Sequence, residues 1–279
     1  MTNYKSGQLV IVSDLHVGSK LGLMPPTVEL DDGNVIGQNK LQKDAWDFWT
    51  GVFWPEVAKR SKKRETNVVV NGDGIDGNHH GTNQIWSNDP IEQANVAGEV
   101  LAPISAKYKT YLTRGTPAHV LASAASDEQI AKEIGAAKPV ADRKVRSSYH
   151  LKLTHCGALF DIAHHGPSAG NRIWTYGNAL RGYARTIVLD ALIRQQRPAD
   201  CIIRSHVHHK VWETVRDYGH RCEAIITPAW QWKTEFAHKV VTHEDIADVG
   251  GVIISIDDGK ISDVEFLLAT YSQSDLVGA

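Results

Sequence analysis

Cysteine is scarce. The chain has three, Cys156, Cys201 and Cys222, an odd number set far apart. That argues against a disulfide frame and fits buried thiols in a reducing cytoplasm. Long apolar runs are missing too. No stretch approaches the roughly 18 residues that a bilayer-spanning helix requires, so no membrane partner is expected. The opening MTNYKSGQLVIV has no apolar run ending in a small-residue cleavage site. No signal peptide is expected from it, and the expected location is cytoplasmic. Neither sign of charge dominates, the formal net charge being -2. Bulk attraction to nucleic acid or membrane therefore does not follow, although a local basic groove is compatible with it. Internal repeats and low-complexity segments are absent.

Core material and histidine are plentiful. The 279 residues, 42% apolar, allow one large α/β domain or two small ones. Fourteen histidines is a high count, and their placement says more than their number. Residues 9–13, LVIVS, read as a buried strand that ends in Asp14, Leu15 and His16. Residues two apart in an extended chain point the same way, so Asp14 and His16 can face one point beyond the strand. A carboxylate oxygen beside an imidazole nitrogen makes half of a divalent-metal site. Taken alone, the triplet is equally explained by an Asp that caps the next element and a surface His.

The rest of the chain repeats the pattern. Residues 28–37 read as a hairpin turning at Asp32-Gly33. The spacing of Trp46, Trp49, Phe53 and Val57 predicts an amphipathic helix over 38–59, with those side chains in the core. A strand over 67–71 runs into Gly72-Asp73-Gly74-Ile75-Asp76, where glycine permits a sharp turn and close backbone approach. A helix over 90–107 has Asp89 as its cap. A strand over 110–113 leads to Arg114-Gly115-Thr116-Pro117-Ala118-His119, and a helix over 126–137 follows. Strands are expected over 145–154 and 158–163, the second ending at His164-His165. A helix over 176–195, fraying near Gly182, precedes a strand over 200–204 that ends in Ser205-His206-Val207-His208-His209. Strand-like runs at 211–215, 223–227 and 251–256 complete the chain, with a last turn at Asp258-Gly259.

Five strand-like segments thus deliver Asp, His or Thr at the carboxyl end, which is where ligand sites form in open α/β sheets. A purely structural role would not confine metal-type side chains to strand ends. In this order the motifs Asp14-Leu15-His16, Gly72-Asp73-Gly74-Ile75-Asp76, Gly115 to His119, His164-His165 and Ser205-His206-Val207-His208 resemble the calcineurin-like metallophosphoesterases. The resemblance spans residues 10–208. The Gly-Thr form of the third motif and the later TPAWQWKT at 227–234 look like the phage and prophage type.

The resemblance implies a single domain over 1–279 with an α/β fold, a four-layer sandwich of two mixed β-sheets flanked by helices. It implies two divalent metal ions drawn from Mn, Fe, Zn, Ni or Co, with Mn favoured. Asp14, His16 and His208 would hold one ion. Asp73 would bridge the pair, and Thr116, His164 and His206 would hold the second. A metal-bridged hydroxide would then attack a phosphate ester. Two departures stand out. The family's third motif is usually G-N-H-D/E, whereas Thr116 stands here at the Asn position and His119 is displaced by two residues. Ser205 stands where the last motif usually opens with Gly. His119 is expected to protonate the leaving group, the alternative being a metal ligand.

Around this set, Arg114, His79, His80 and His165 are expected to contact substrate. His165 also competes with His164 for the ligand position, and strand polarity favours His164. Asp76 is expected to orient ligands rather than bind metal. Arg172 and Arg181 are further phosphate-clamp candidates, though each alone reads better as a surface ion pair. Trp174, Trp230 and Trp232 read as core, and His209, His220, His238 and His243 as surface. The motif loops are not notably basic, which favours a diester over a monoester dianion, and the likeness to the phage type implies a nucleotide or nucleic acid. The rivals are a phosphomonoesterase, including a protein phosphatase, and a non-catalytic metal-binding scaffold. Oligomeric state is not legible.

Overall fold

The computed structural model describes residues 6–79, 81–120, 124–168, 175–235 and 248–269. Val10 and Val12 of the first strand alternate with Leu9 and Ile11, and all four are buried. A strand apolar on both faces must be covered on both, so the sheet it joins lies inside the molecule. That sheet has six strands in the order β13 (Lys260–Leu268), β12 (Gly250–Asp257), β1 (Gly7–Val12), β4 (Glu65–Asn71), β5 (Lys109–Thr113) and β6 (Ser147–Ser148). A second sheet has five, in the order β10 (Val211–Asp217), β11 (His220–Ile226), β9 (Cys201–Arg204), β8 (Ala158–Ala163) and β7 (His150–His155). A small hairpin, β2 (Thr27–Glu29) with β3 (Val35–Gly37), stands apart as expected.

The two sheets pack face to face. Leu9, Ile11, Val69 and Val252 of the first meet Phe160, Ile162, Ile203 and Ile225 of the second. On the outer face of the first sheet, Val10, Val12, Val68 and Val70 pack with α3 (Pro90–Ser105) and α4 (Ala125–Glu133) through Ala97, Leu101 and Ile130. On the outer face of the second, Ile202, Ala224 and Ile226 take Leu180, Ala184 and Val188 of α5 (Asn178–Ile193). The result is helix, sheet, sheet, helix, with both sheets mixed. This is the architecture that the motif resemblance implied.

Strand direction positions the site. β1, β4 and β5 are mutually parallel within the first sheet, and β8 and β9 are parallel within the second. Their carboxyl ends carry the five motifs. Polar bonds tie the sheets at this edge: Asn71 Nδ2 donates to the Ala163 carbonyl at 3.1 Å and to Ser205 Oγ at 2.6 Å. Ser13 Oγ and Thr227 Oγ1 share a hydrogen at 2.7 Å.

Several elements differ instructively from the sequence reading. The expected strand over 145–154 is two strands, because the chain leaves the first sheet after Ser148 and enters the second at His150. The alternation of side chains continues across the step, so period alone could not reveal it. The expected helix over 38–59 is α1 (Lys40–Phe48), a π-helical turn over Trp49–Phe53, and α2 (Trp54–Ser61). The wider turn shifts the helical phase, which lets Trp49, Phe53, Trp54 and Val57 all reach the core. Trp230 anchors this packing, with ring centroids 4.6 Å from Trp49 and 5.3 Å from Phe53. Gly182 lies within α5, which does not fray there. Asp89 caps α3 as expected, accepting from the Ile91 N–H at 2.8 Å.

Phe160 is fully buried between the sheets. Phe160→Ala should cost about 3–5 kcal/mol of unfolding free energy. Exposed Val52→Ala should cost only a few tenths, on the order of 0.5 kcal/mol. Urea titration of both variants checks this, and comparable losses would contradict the face-to-face packing of the sheets.

Candidate metal centre

Asp14, Asp73 and His164 are almost wholly buried, and His16 is 2% exposed. They arrive from three strand ends, Asp14 and His16 from β1, Asp73 from β4 and His164 from β8, and the backbone bends hard to aim them. Among the described residues ten non-glycine residues have positive φ, and five are Asp14, His16, Asp73, His206 and His208. The left-handed region is disfavoured for residues with a Cβ, so this concentration marks a place where side-chain direction overrides backbone preference. Two glycines make room. A Cβ on Gly115 would lie 2.1 Å from Asp73 Oδ1, and one on Gly72 would lie 2.5 Å from His164 Nδ1.

The side chains form two adjoining groups. In the first, His16 Nε2 and His208 Nε2 face each other at 3.2 Å, and Asp14 Oδ1 lies 3.3 Å from His208 and 3.9 Å from His16. In the second, Thr116 Oγ1 lies 3.0 Å from Asp73 Oδ2, 3.2 Å from His164 Nε2 and 3.0 Å from His206 Nδ1. His164 Nε2 is also 3.0 Å from Asp73 Oδ2 and 3.8 Å from Asp14 Oδ1, which joins the groups. Asp73 Oδ1 accepts the Thr116 N–H at 2.6 Å, which fixes the carboxylate and leaves Oδ2 towards the imidazoles.

This donor set fits divalent cations. Asp14 Oδ1 is buried and has no hydrogen-bond partner among the described residues, an arrangement that costs free energy unless something positive binds there. His164 Nδ1 donates to the Asn71 carbonyl at 2.7 Å, which leaves the Nε2 lone pair facing the carboxylates. His16 Nδ1 is likewise held, 3.0 Å from Asp76 Oδ1, with Nε2 turned inward. Imidazole and carboxylate together suit first-row transition metals.

Other expected site residues lie at varying distances from this centre. His119 Nδ1 donates to the Asp76 carbonyl at 2.6 Å, and its ring stands edge-on to His16 at 4.7 Å. It shares one potential cation position with His16 and Asp73. His79 packs on His119 with ring centroids 4.2 Å apart. His165 is exposed, its ring 4.9 Å from that of His206, and with His164 and His206 it outlines a further potential cation position. The Arg114 guanidinium is engaged elsewhere, donating to Ser147 Oγ at 2.9 Å and stacking on Tyr149 at 5.1 Å. Arg181 pairs with Glu213. Trp230 and Trp232 are buried in the core. His80, Arg172, Trp174, His238 and His243 lie outside the described residues.

Two contributors escaped sequence reading. Asp127, in the first turn of α4, is fully buried and accepts the Gly115 N–H at 2.7 Å. Burial pushes its carboxyl up to about 7. Its signal was a position three and four residues before buried Ile130 and Ala131, an acid on the apolar face. Asn71, the polar end of VVVN, ties the two sheets and orients His164.

Burial opposes charge throughout the cluster; it prevails at His119, His165 and His206, which are pushed down, but opposite charges prevail at its centre. Burial would lower His164, but Asp73 and Asp14 raise it to about 10. It would raise Asp14, but His164 and His208 hold it at about 2. Asp73 is likewise held well below the usual carboxylate range, chiefly by His164. Without a cation, a proton on His164 therefore balances the carboxylates at neutral pH. A cation must displace that proton to use Nε2. Metal uptake at pH 7 should release about one proton at this position, and apparent affinity should rise about tenfold per pH unit until pH approaches 10. Calorimetric titration in buffers of different ionisation enthalpy checks this. Metal uptake with no proton release would contradict ligation by His164.

No protein-family model matches the chain, and no curated protein does. Solved structures do show likeness. One is a predicted phosphoesterase from Streptococcus pneumoniae TIGR4, at 11% identity over 95% of this chain and 90% of that one, with a TM-score of 0.37. A second is Vps29 complexed with zinc from Entamoeba histolytica, at 11% identity over 94% and 97%, with a TM-score of 0.40. A third is a metallophosphoesterase from Sphaerobacter thermophilus, at 12% identity over 96% and 90%, with a TM-score of 0.36.

Proposed function

We propose that the protein is a metal-dependent phosphoesterase that hydrolyses phosphate diesters at a centre for two divalent cations. The observation that carries this reading is the buried Asp14 Oδ1, without a hydrogen bond among the described residues, amid the imidazoles and carboxylates that five strand ends aim at one place. In this reading Asp14, His16 and His208 hold one cation, and Thr116, His164 and His206 hold the other, with Asp73 between them. Bound there, two cations supply a nucleophilic oxygen near neutral pH and offset the charge of the phosphoryl oxygens.

The protein's own groups set up that chemistry. The Thr116 N–H fixes the rotation of Asp73. The Asn71 carbonyl and the Asp76 carboxylate fix the tautomers and ring planes of His164 and His16. Gly72 and Gly115 let the three strand-end loops approach closely enough to share one small volume. Arg114, the arginine of the motif loops, is not free to meet substrate, since Ser147 and Tyr149 hold it. A monoester dianion gains from added cations more than a diester does, so this surrounding favours the diester.

Asp73→Asn keeps the side chain's shape and removes its charge. It should lose at least one metal per chain and lower turnover by about a thousandfold or more. Metal analysis after dialysis, with rates on a monoester and a diester of one chromogenic phenol, tests the whole reading. Full metal content with most of the rate retained would remove Asp73 from the centre. A higher rate on the monoester would favour the phosphomonoesterase rival, and no turnover on either ester with metal bound would favour the scaffold.

His119 has two possible roles. Burial and the neighbouring His16 charge push it down to about 4, so the ring is neutral. With Nδ1 donating to Asp76, Nε2 carries a lone pair. That supports a ligand for the first cation over a proton donor. His119→Ala should then slow alkyl and nitrophenyl esters alike, and added metal should restore part of the loss. Loss confined to alkyl esters, whose leaving alkoxide needs a proton, would return His119 to the acid role.

A further inference from the structure

Beside the cation cluster runs a segment of unlike composition. Residues 138–152 carry Lys138, Arg143, Lys144, Arg146 and Lys152 against a single acid, Asp142, in a chain whose net charge is -2. Lys138, Arg143, Lys144 and Lys152 are exposed and make no ion pair among the described residues. The backbone beneath is fixed: Glu128 accepts the Arg146 N–H at 3.1 Å and the Ser147 N–H at 2.9 Å. The segment is thus anchored at its Tyr149 end, while Arg143 sits in a turn closed by its N–H to the Val140 carbonyl at 3.1 Å.

The segment leads to the site. Ser148 pairs with Thr113, and the Arg114 N–H donates to the Ser148 carbonyl at 2.9 Å, one residue before Gly115. His150 pairs with Ala163, one residue before His164. Tyr149, between them, sits where the edge of one sheet hands over to the edge of the other. It is 51% exposed, one of the few large apolar side chains left in solvent. Its ring is backed by the Arg114 guanidinium at 5.1 Å, which is itself anchored on Ser147. A rigid exposed aromatic ring with a row of unpaired cations leading to it offers stacking and phosphate contacts together.

We propose that residues 138–152 are a docking strip for single-stranded nucleic acid, with Tyr149 stacking a base beside the cluster and Lys138, Arg143 and Lys144 following the phosphates. The proposal deepens the phosphoesterase reading and rests on it for the fate of the bound strand. Successive phosphates match a row of cations, and every base has a face to stack. An acidic peptide would satisfy the cations but leave Tyr149 without a planar partner. A paired duplex would keep its bases out of reach of the ring.

The test uses the metal-loaded enzyme turning over a small chromogenic diester, with unlabelled oligothymidylate as competitor. A bound strand raises the apparent KM for the small ester whether or not it is cut. The wild type should be inhibited, and inhibition should weaken steeply between 50 and 200 mM salt, on the order of 0.7 in log-log slope per phosphate contacted. The double variant Arg143→Glu/Lys144→Glu should keep kcat on the small ester, weaken inhibition about tenfold or more and flatten the salt slope by about 1.4. Tyr149→Ala should weaken inhibition by about tenfold with the salt slope unchanged. Inhibition that is unchanged in both variants would overturn the strip. So would inhibition by polyglutamate, anionic vesicles or duplex DNA as strong as by the single strand. Absence of turnover on the small ester would sink the phosphoesterase reading alone. In that event, fluorescence anisotropy of a labelled oligothymidylate, in wild type and the same variants, still decides the strip.

Discussion

Two carboxylates, Asp14 and Asp73, lie side by side out of water, and much of the structure answers that one constraint. Ionised groups are rarely buried without compensation, because removing them from water costs several kcal/mol, roughly, per ion. Here the compensation is layered. His164 supplies a positive charge between them, the Thr116 N–H binds one oxygen of Asp73, and His208 stands beside Asp14. Asp14 Oδ1 still makes no hydrogen bond among the described residues, with imidazoles at 3.3 and 3.8 Å. Without a cation, the carboxylates favour a protonated His164 between them. The protein is thus built around a negative potential that a proton half satisfies.

Backbone geometry bears the cost of this arrangement. Left-handed conformations cost on the order of 1–2 kcal/mol for residues with a Cβ, and five of the converging residues adopt them. That strain is held by what lies behind it. The carbonyl of Asp14 accepts from the Trp230 N–H at 3.0 Å, and the Asp14 N–H donates to the Gly72 carbonyl at 3.0 Å. Trp230 in turn is locked among Trp49, Phe53 and Phe48. The aromatic core over the outer face of the first sheet therefore serves as the rear support of the site. This is why so many tryptophans lie far from any surface.

Much of this was legible in the chain. Apolar runs such as VVVN and LVIV identified the buried parallel strands because strands covered on both faces leave no polar alternation. Turn chemistry located the hairpins at Asp32-Gly33 and Asp258-Gly259, where glycine follows an acid. The acids and histidines at strand ends were visible because short strands place their ends at fixed positions. What could not be read depends on distant partners. The crossing at Tyr149 preserves the period of two, so only three-dimensional pairing reveals that Ser148 and His150 belong to different sheets. The π-helical turn at Trp49–Phe53 answers to Trp230, far along the chain. Arg114 looks free in sequence but is taken by Ser147 and Tyr149. Asp127 looks like a helix-start acid until the Gly115 N–H meets it.

The order of strands in the first sheet bears on how the molecule comes together. β1 precedes the other strands, with Asp14 and His16 just behind it, yet one of its flanks is filled by β12, more than two hundred residues later. Its other flank pairs with β4, and the opposing sheet is supplied by the stretch in between. The central strand therefore waits, half paired, until the residues between it and β12 have been made. Contacts so remote in sequence slow folding, because loop-closure entropy is spent before they form. During synthesis the exposed edge of β1 would be open to pairing with other chains. Arg64, at the entry to β4, then reaches across β1 to Asp257 at the end of β12, bonding the Gly7 carbonyl at 3.1 Å and Asp257 Oδ1 at 3.0 Å, so the late-arriving β12 is also tied to β1 and β4.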